Sequence, residues 1–256
     1  MEVCFVILHP TDPAALLQST AVIRWLNNQV DGSEVFSVAP ANLSWLLEAQ
    51  KPFYLIPYED NLLTIRSKIK ELLPDYLIDL EGNNYYKPLK KRLKVLDFPL
   101  EKLSLFDVKD DQAGPFLSVP DPDPEWLPES FARGYLVLTL DGKSGEPELS
   151  EELLVRLTTL LEYPVVITGM QNERPLADEI ARKAGCTVYP ACGDFTPLQT
   201  ASMIRGSTGL ITSSLLWGQV AKAIDKQVVI LGKGDLNSIQ SDPRSILEMV
   251  GPWIKH

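Results

Sequence analysis

Short, almost wholly apolar runs alternate along this chain with longer stretches of helical period, and few folds satisfy that alternation. A run such as VCFVIL at 3–8 has no polar side to offer water. As a strand it must be covered on both faces, which is the condition of a parallel sheet held between layers of helices. Comparable runs return at 34–38, 53–57, 76–80 and 103–107, and again at 134–140, 164–168, 187–189, 210–212 and 228–231. Between them, residues 14–28 align Leu16, Leu17, Ile23 and Leu26, residues 42–50 align Leu43, Leu46 and Leu47, and residues 62–73 carry Leu62, Ile65, Ile69, Leu72 and Leu73 at helical spacing. Further helices are predicted from Ser150 onward, over 174–184 with Gly185 as its C-terminal stop, over 196–205 and 216–224, and from Pro243 to about Trp253. This is a βαβ series, and the fold class is α/β.

The series breaks once. Residues 109–129 read KDDQAGPFLSVPDPDPEWLPE, with five prolines and no period. Proline fixes φ and removes a backbone donor, so neither helix nor ladder runs through such a stretch. The chain therefore divides into a domain over 1–108, a linker over 109–130 and a domain over 131–256. Two Rossmann-type α/β/α domains with parallel sheets would place a ligand cleft between them, at the carboxyl ends of the strands.

The composition narrows the partners. With 24 Lys+Arg against 34 Asp+Glu the net charge is −10, which argues against nucleic acid and against general attraction to anionic membranes. One local exception exists: Lys87, Lys90, Lys91, Arg92 and Lys94 fall within eight positions without an acid. Three cysteines without a CxxC pair and two histidines at opposite ends leave too few ligands for a zinc site, so no metal or other cofactor is expected. Cys4 inside an apolar run suits a buried thiol in a reducing compartment. The N-terminus lacks the basic region of a signal peptide, and the uncharged stretch 206–221 is too short and too hydroxyl-rich to span a bilayer. The expectation is a cytoplasmic protein.

Four turns at strand exits could carry chemistry, and each has a plainer reading. Thr168-Gly169-Met170-Gln171 runs from a buried strand into a helix start, where free amides favour anions or ribose hydroxyls; it also reads as an ordinary β–α turn. Thr212-Ser213-Ser214 sets three hydroxyls at another strand exit, as a phosphate cradle or as a helix N-cap. Asp12 follows the first strand as a general base, with His9 as a second candidate, yet Asp12-Pro13 is also a common N-cap with proline at N1. Asp79, Glu81 and Asn83 precede the cation cluster, which could hold an anionic acceptor or form a solvated helix face. Lys143, in the loop DGKSGEPE, is a further phosphate candidate.

As a set these segments resemble glycosyltransferase family 9, the ADP-heptose:lipopolysaccharide heptosyltransferases. DYLIDLEGNNYYKPLKKRLKV (75–95) is similar to the family's D-x-x-I-D-L-q-G-n strand and turn, and YPVVITGMQNERPLADEIARKAG (163–185) to its P-V-V-L-T-G-x-x-x-E segment. TPLQTASMIRGSTGLITSSLLWGQVAKAIDKQVVILG (196–232) aligns without gaps on the donor-binding block. The resemblance implies the GT-B fold, with an acceptor-side first domain and a nucleotide-sugar-side second domain. At 256 residues the chain is short for that family. It further implies an inverting transfer in which Asp12 is the base, although Ala14-Ala15 stand where alignment on the following helix puts the family's Gly-Asp. By resemblance the donor would be bound by Lys143, Gly169, Gln171, Ser213, Ser214 and Gln219, and the acceptor by Asn83, Lys87, Lys90 and Lys91.

The donor block departs from the family. Ser213, Ser214, Leu215, Leu216, Trp217 and Gln219 stand where it has Asn or Val, Asp, Thr, Gly, Pro and His, and Gln171 stands near the position of a ribose-holding acid. Two functions follow: a heptosyltransferase-like enzyme moving a sugar from an ADP-heptose-like donor to an anionic glycolipid, or a non-catalytic GT-B protein that binds a nucleotide, sugar or protein partner. A Rossmann dehydrogenase or epimerase would need a glycine-rich first turn, and residues 9–13 contain no glycine.

Overall fold

The computed structural model describes residues 3–48, 54–59, 65–80, 94–97 (backbone), 114–115, 117–140, 150–185, 187–231 and 243–254. They form two compact units, Met1–Ser118 and Val119–His256. The division falls inside the proline-rich stretch, whose later part carries two short 3-10 turns, Pro124–Trp126 and Glu129–Phe131.

Unit 1 is a five-stranded sheet of β1 (Val3–Leu8), β2 (Ser33–Pro40), β3 (Tyr54–Tyr58), β4 (Tyr76–Asp79) and β5 (Lys94–Asp97), in the order β3-β2-β1-β4-β5. Every pairing is parallel. Helices α1 (Pro13–Gln29), α2 (Trp45–Glu48) and α3 (Arg66–Glu71) lie between the strands in sequence. The central strand explains the apolar run: Phe5, Val6 and Ile7 are wholly buried, because β1 has strands on both sides and cover on both faces.

Unit 2 repeats the plan with β6 (Leu136–Thr139), β7 (Val165–Thr168), β8 (Val188–Pro190), β9 (Gly209–Thr212) and β10 (Val228–Ile230), in the parallel order β10-β9-β6-β7-β8. Its helices are α4 (Glu151–Leu161), α5 (Arg174–Lys183), α6 (Pro197–Gly206), α7 (Leu215–Ala223) and α8 (Pro243–Val250). Leu138, Ile167 and Ile211 pack into one core with side chains of α4, α5 and α8, while α6 and α7 meet β6, β9 and β10. Capping fixes the helix starts. Ser150 Oγ accepts the Leu153 amide at 3.2 Å, and Thr196 and Gln199 exchange side-chain-to-amide bonds of 3.3 and 2.9 Å ahead of Pro197. Each such cap contributes about 1 kcal/mol. Counted from its own first strand, each sheet has the order 3-2-1-4-5, so its winding reverses between β1 and β4 and between β6 and β9. The loops that leave the strands diverge there, and this is where ligands bind on open α/β sheets.

Several elements differ from the sequence expectation. The fifth strand of unit 1 is Lys94–Asp97, in register with β4 from Tyr76↔Lys94 to Asp79↔Asp97. Two apolar residues are too few to show a period, and only pairing reveals it; the expected strand at 103–107 lies outside the described residues. Of the helix expected over 42–50 the described part is a 3-10 turn, Ala41–Leu43, followed by α2. Of the helix expected over 62–73 the described part is α3, and Leu73 beyond it takes a φ of 47°. Gly185 is not a left-handed stop: the described backbone leaves α5 through an extended Ala184, and the glycine is there because Thr159 lies against it. The left-handed C-cap belongs to Glu162, after α4, at φ 46°. Cys4 is half-buried rather than buried.

Gly209 opens β9, and a β-carbon there would fall 2.6 Å from the Trp253 ring and 3.3 Å from the Gln227 carbonyl, so the ring must shift to admit it. Gly209→Ala is expected to cost about 1–3 kcal/mol in urea unfolding, although alanine is otherwise a neutral choice in a strand. An unchanged midpoint would show that Trp253 does not seal this face.

Candidate functional site

The reversal point of unit 2 is lined by hydroxyls. Thr139, the last residue of β6, is in register with Thr168 of β7 and Thr212 of β9. Thr139 Oγ1 and Thr212 Oγ1 are hydrogen-bonded at 2.5 Å, and Thr212 Oγ1 accepts the Ser214 amide at 2.9 Å. Ser213 and Ser214 follow, 3% and 4% exposed. Ser214 occupies the N-cap position of α7, but its side chain makes no cap bond. The capping reading therefore holds for the position of Ser214 and not for its side chain; the Thr212 hydroxyl ties the turn two residues ahead by accepting the amide of the N-cap residue itself. Trp217 is packed inward at 6% exposure, so it does not crowd the turn, whereas Leu215 is 62% exposed at the helix start. Gln219, one turn further on, has a buried Oε1 without a hydrogen bond.

The β7 exit is organised differently. Residues Gln171–Glu173 form a 3-10 turn, and Glu173 Oε2 accepts the Met170 amide at 2.6 Å. A β-carbon on Gly169 would strike that carboxylate, and one on Gly193, at φ +79°, would strike the Gln171 side chain. Of the amides at this turn the Met170 amide is therefore already taken by an internal carboxylate, and exposed Gln171 lies across Gly193. Arg174, at the end of the turn, is committed to Asp194, with both oxygens within 2.9 Å of Nη1, and to Asp178. Burial, with Glu173 nearby, pushes the Cys192 thiol up to about 12, so it remains protonated and is no nucleophile.

In unit 1, Asp12 is exposed and caps α1: its Oδ1 accepts the Ala15 amide at 2.8 Å, with Pro13 at N1. His9 is not available as a base. It is 2% exposed, with Nδ1 2.6 Å from Ser19 Oγ and Nε2 3.2 Å from Ser37 Oγ. Ser19 gives its own hydrogen to the Leu16 carbonyl at 2.5 Å, so the network assigns the hydrogen to Nδ1 and makes Nε2 the acceptor for Ser37. Desolvation lowers the His9 pKa from 6.5 to about 3. Asp79, 3% exposed, ends β4 in register with Leu8. Lys143, Glu81, Asn83, Lys87, Lys90 and Lys91 lie outside the described residues.

Sequence reasoning named the turns at Thr168 and Thr212 but missed Thr139 and the row the three form, although its signal is legible: LVLT, VVIT and GLIT each close an apolar run on threonine. Among the described residues no group of three His, Cys, Asp or Glu could hold a metal ion, and no helix is long and apolar enough to cross a membrane.

No protein-family model matches the sequence, and no curated protein sequence matches it significantly. Solved structures do. The glycosyl transferase family 9 structure from Veillonella parvula aligns at TM-score 0.73 and 15% identity, over 92% of this chain and 83% of that one. The E. coli heptosyltransferase WaaC with ADP-2-deoxy-2-fluoro heptose aligns at 0.71 and 12%, over 98% and 99%. The E. coli ADP-heptose lps heptosyltransferase II aligns at 0.70 and 15%, over 99% and 98%. At these identities the likeness is one of fold. The chain has the GT-B-like α/β architecture of the family 9 glycosyltransferases and heptosyltransferases, the family its sequence segments resemble.

The His9 network has a measurable consequence. The folded state resists protonation down to about pH 3 while the unfolded chain takes a proton near 6.5, so stability is complete above 6.5 and is lost as pH falls through this window. The expected slope is about 1.4 kcal/mol per pH unit between pH 6 and 5, above the carboxylate range. Urea unfolding across that interval checks it, with His9→Asn as the comparison that loses the slope. A wild-type stability flat from pH 6.5 to 5 would refute the assignment.

Proposed function

We propose that this chain is a nucleotide-sugar-dependent glycosyltransferase of the family 9 kind, with the donor held on unit 2 at the carboxyl ends of β6 and β9. One observation carries the reading: among the described residues the reversal point of that sheet offers hydroxyls and no acid, on a fold whose solved structural neighbours include WaaC with ADP and with an ADP-heptose analogue. A donor diphosphate is rich in acceptor oxygens, so a cradle of hydroxyl donors complements it. Ser213, Ser214 and Gln219, joined by Lys143 from the loop after β6, are the donor-binding residues of this reading. Gly169 and Gln171 play their part in shaping the β7 turn. Asp12 takes the acceptor hydroxyl's proton with the carboxylate oxygen that the helix cap leaves over. Asn83, Lys87, Lys90 and Lys91 supply the acceptor side, and their charge suits an anionic glycolipid. Free thiols at Cys4 and Cys192 fit a reducing cytoplasm.

A second reading, a non-catalytic protein on the same fold that binds a nucleotide, sugar or protein partner, is favoured by one observation: the Asp12 carboxylate already has a structural duty as a cap.

Calorimetric titration of ADP and ADP-heptose tests the donor site, with micromolar affinity expected and a loss of about tenfold in Ser214→Ala, the worth of one hydrogen bond to a charged group. Wild-type protein that binds neither would sink the donor reading. Asp12→Asn separates the two functions. Asparagine caps a helix as well as aspartate, so stability and ADP affinity should hold while transfer falls at least about 100-fold. Undiminished transfer would remove Asp12 from the chemistry, and absence of transfer in the wild type with ADP still bound would favour the non-catalytic reading.

A further inference from the structure

The threonine row of unit 2 is not explained by the fold. In-register residues on parallel strands turn to the same face, so Thr139, Thr168 and Thr212 set three hydroxyls side by side at the carboxyl edge. That face is opposite the one where Leu138, Ile167 and Ile211 meet α4, α5 and α8. The three threonines are 1%, 2% and 0% exposed, where valine would serve packing equally well. Burying a hydroxyl without a partner is unfavourable, so the row's hydrogen bonds decide its meaning.

The hydrogens do not balance within the protein. Thr139 and Thr212 hold two hydroxyl hydrogens, and the bond between them uses one. Thr212 Oγ1 meanwhile accepts the Ser214 amide, which consumes a lone pair and no hydroxyl hydrogen. Thr168 Oγ1 is buried and has no partner at all. Ser214 stands at the N-cap of a nine-residue helix and leaves the cap bond unmade. Among the described residues the strand exits are thus in excess of hydroxyl donors, the Gln219 amide oxygen further into α7 being an unmatched acceptor, and neither the three strands nor the first turns of α7 contain an acid. Nearly every buried polar group in a folded protein is matched, and what would match this edge is a ligand rich in acceptor oxygens.

We propose that the Thr139–Thr212 pair is a positioning device: by holding the Ser214 amide it fixes the turn ahead of α7, so that the Ser213 and Ser214 hydroxyls are set to meet the phosphates of a bound nucleoside diphosphate, and the Thr168 hydroxyl is matched only in the bound state. This rests on the donor reading above. Thr212 and Thr139 act through Ser214 and are not catalytic residues. Thr168 follows the pattern of a group kept unsatisfied for function at a cost in stability.

The test measures affinity and stability together, with ADP and with inorganic pyrophosphate as probes on the full chain. Thr168→Val removes an unmatched hydroxyl at constant shape, so the melting temperature should rise while affinity for both probes falls about tenfold. A purely structural threonine would give the rise without the loss, and that result overturns the proposal for Thr168. Thr212→Val should speed hydrogen exchange at the Ser214 amide and weaken both probes, Thr139→Val should do the same more mildly, and Thr212→Ser, which keeps the hydroxyl, should restore both. Wild-type affinity in Thr212→Val, with wild-type exchange, overturns the positioning role. If Thr212→Val does not fold, Thr139→Val and Thr212→Ser carry the comparison. Binding of pyrophosphate but not ADP by the wild type leaves the row's anion preference standing and removes the nucleotide; binding of neither overturns both.

Discussion

Covering both faces of an all-parallel sheet is the constraint on which these two units depend. A strand flanked by neighbours and roofed by helices on both faces has no side for polar residues, so β1 is apolar along its length and β6 up to its last residue. The helices follow from the same demand, since each needs only one apolar stripe facing the sheet. In unit 2 the hydroxyls of the inner strands stand at the strand ends, where the cover stops: Thr139, Thr168 and Thr212 each occupy the last position of their strands; in unit 1 the mid-strand hydroxyl Ser37 is tolerated because His9 pairs it. The site lies at this boundary, where the sheet's winding reverses.

Polar groups that are buried must be matched, and the two units solve this in different ways. In unit 1, His9 is enclosed between Ser19 and Ser37, with each ring nitrogen partnered and its charge suppressed. The result is a neutral structural pair of hydrogen bonds that would fail on protonation. In unit 2, the threonine row, Ser213, Ser214 and the Gln219 amide oxygen are left with capacity to spare. The contrast separates a polar group that completes the core from polar groups that anticipate something outside it.

Much of the architecture was legible in the residues because burial on two faces writes a strong signal. Nine of the strands, β1 to β4 and β6 to β10, coincide with apolar runs, and Ser150 and Thr196 announce their helices through hydroxyl caps. The elements that were not legible are those set by pairing or packing. β5, with Val95 and Leu96 between charged residues, becomes a strand because β4 presents an open edge. Gly185 looks like a helix stop in sequence and is instead a contact with Thr159. For the site, Ser213 and Ser214 were found from their type and place, but that Thr212 holds the Ser214 amide and that the Ser214 side chain makes no cap bond, like the reach of Glu173 over Gly169, depend on how the turns close.

Local chemistry was therefore enough to specify which segments form strands and helices, that the sheets are parallel, and which strand exits carry polar residues, because these follow from periodicity, two-faced burial and capping within a few positions. The strand order, the register that brings Thr139 beside Thr168 and Thr212, the enclosure of His9 and the diversion of Gln171 onto Gly193 depend on contacts between residues far apart in the chain. No local pattern encodes such contacts; they arise when sheets assemble and each buried hydroxyl, ring nitrogen or carboxylate meets whatever partner the packing supplies.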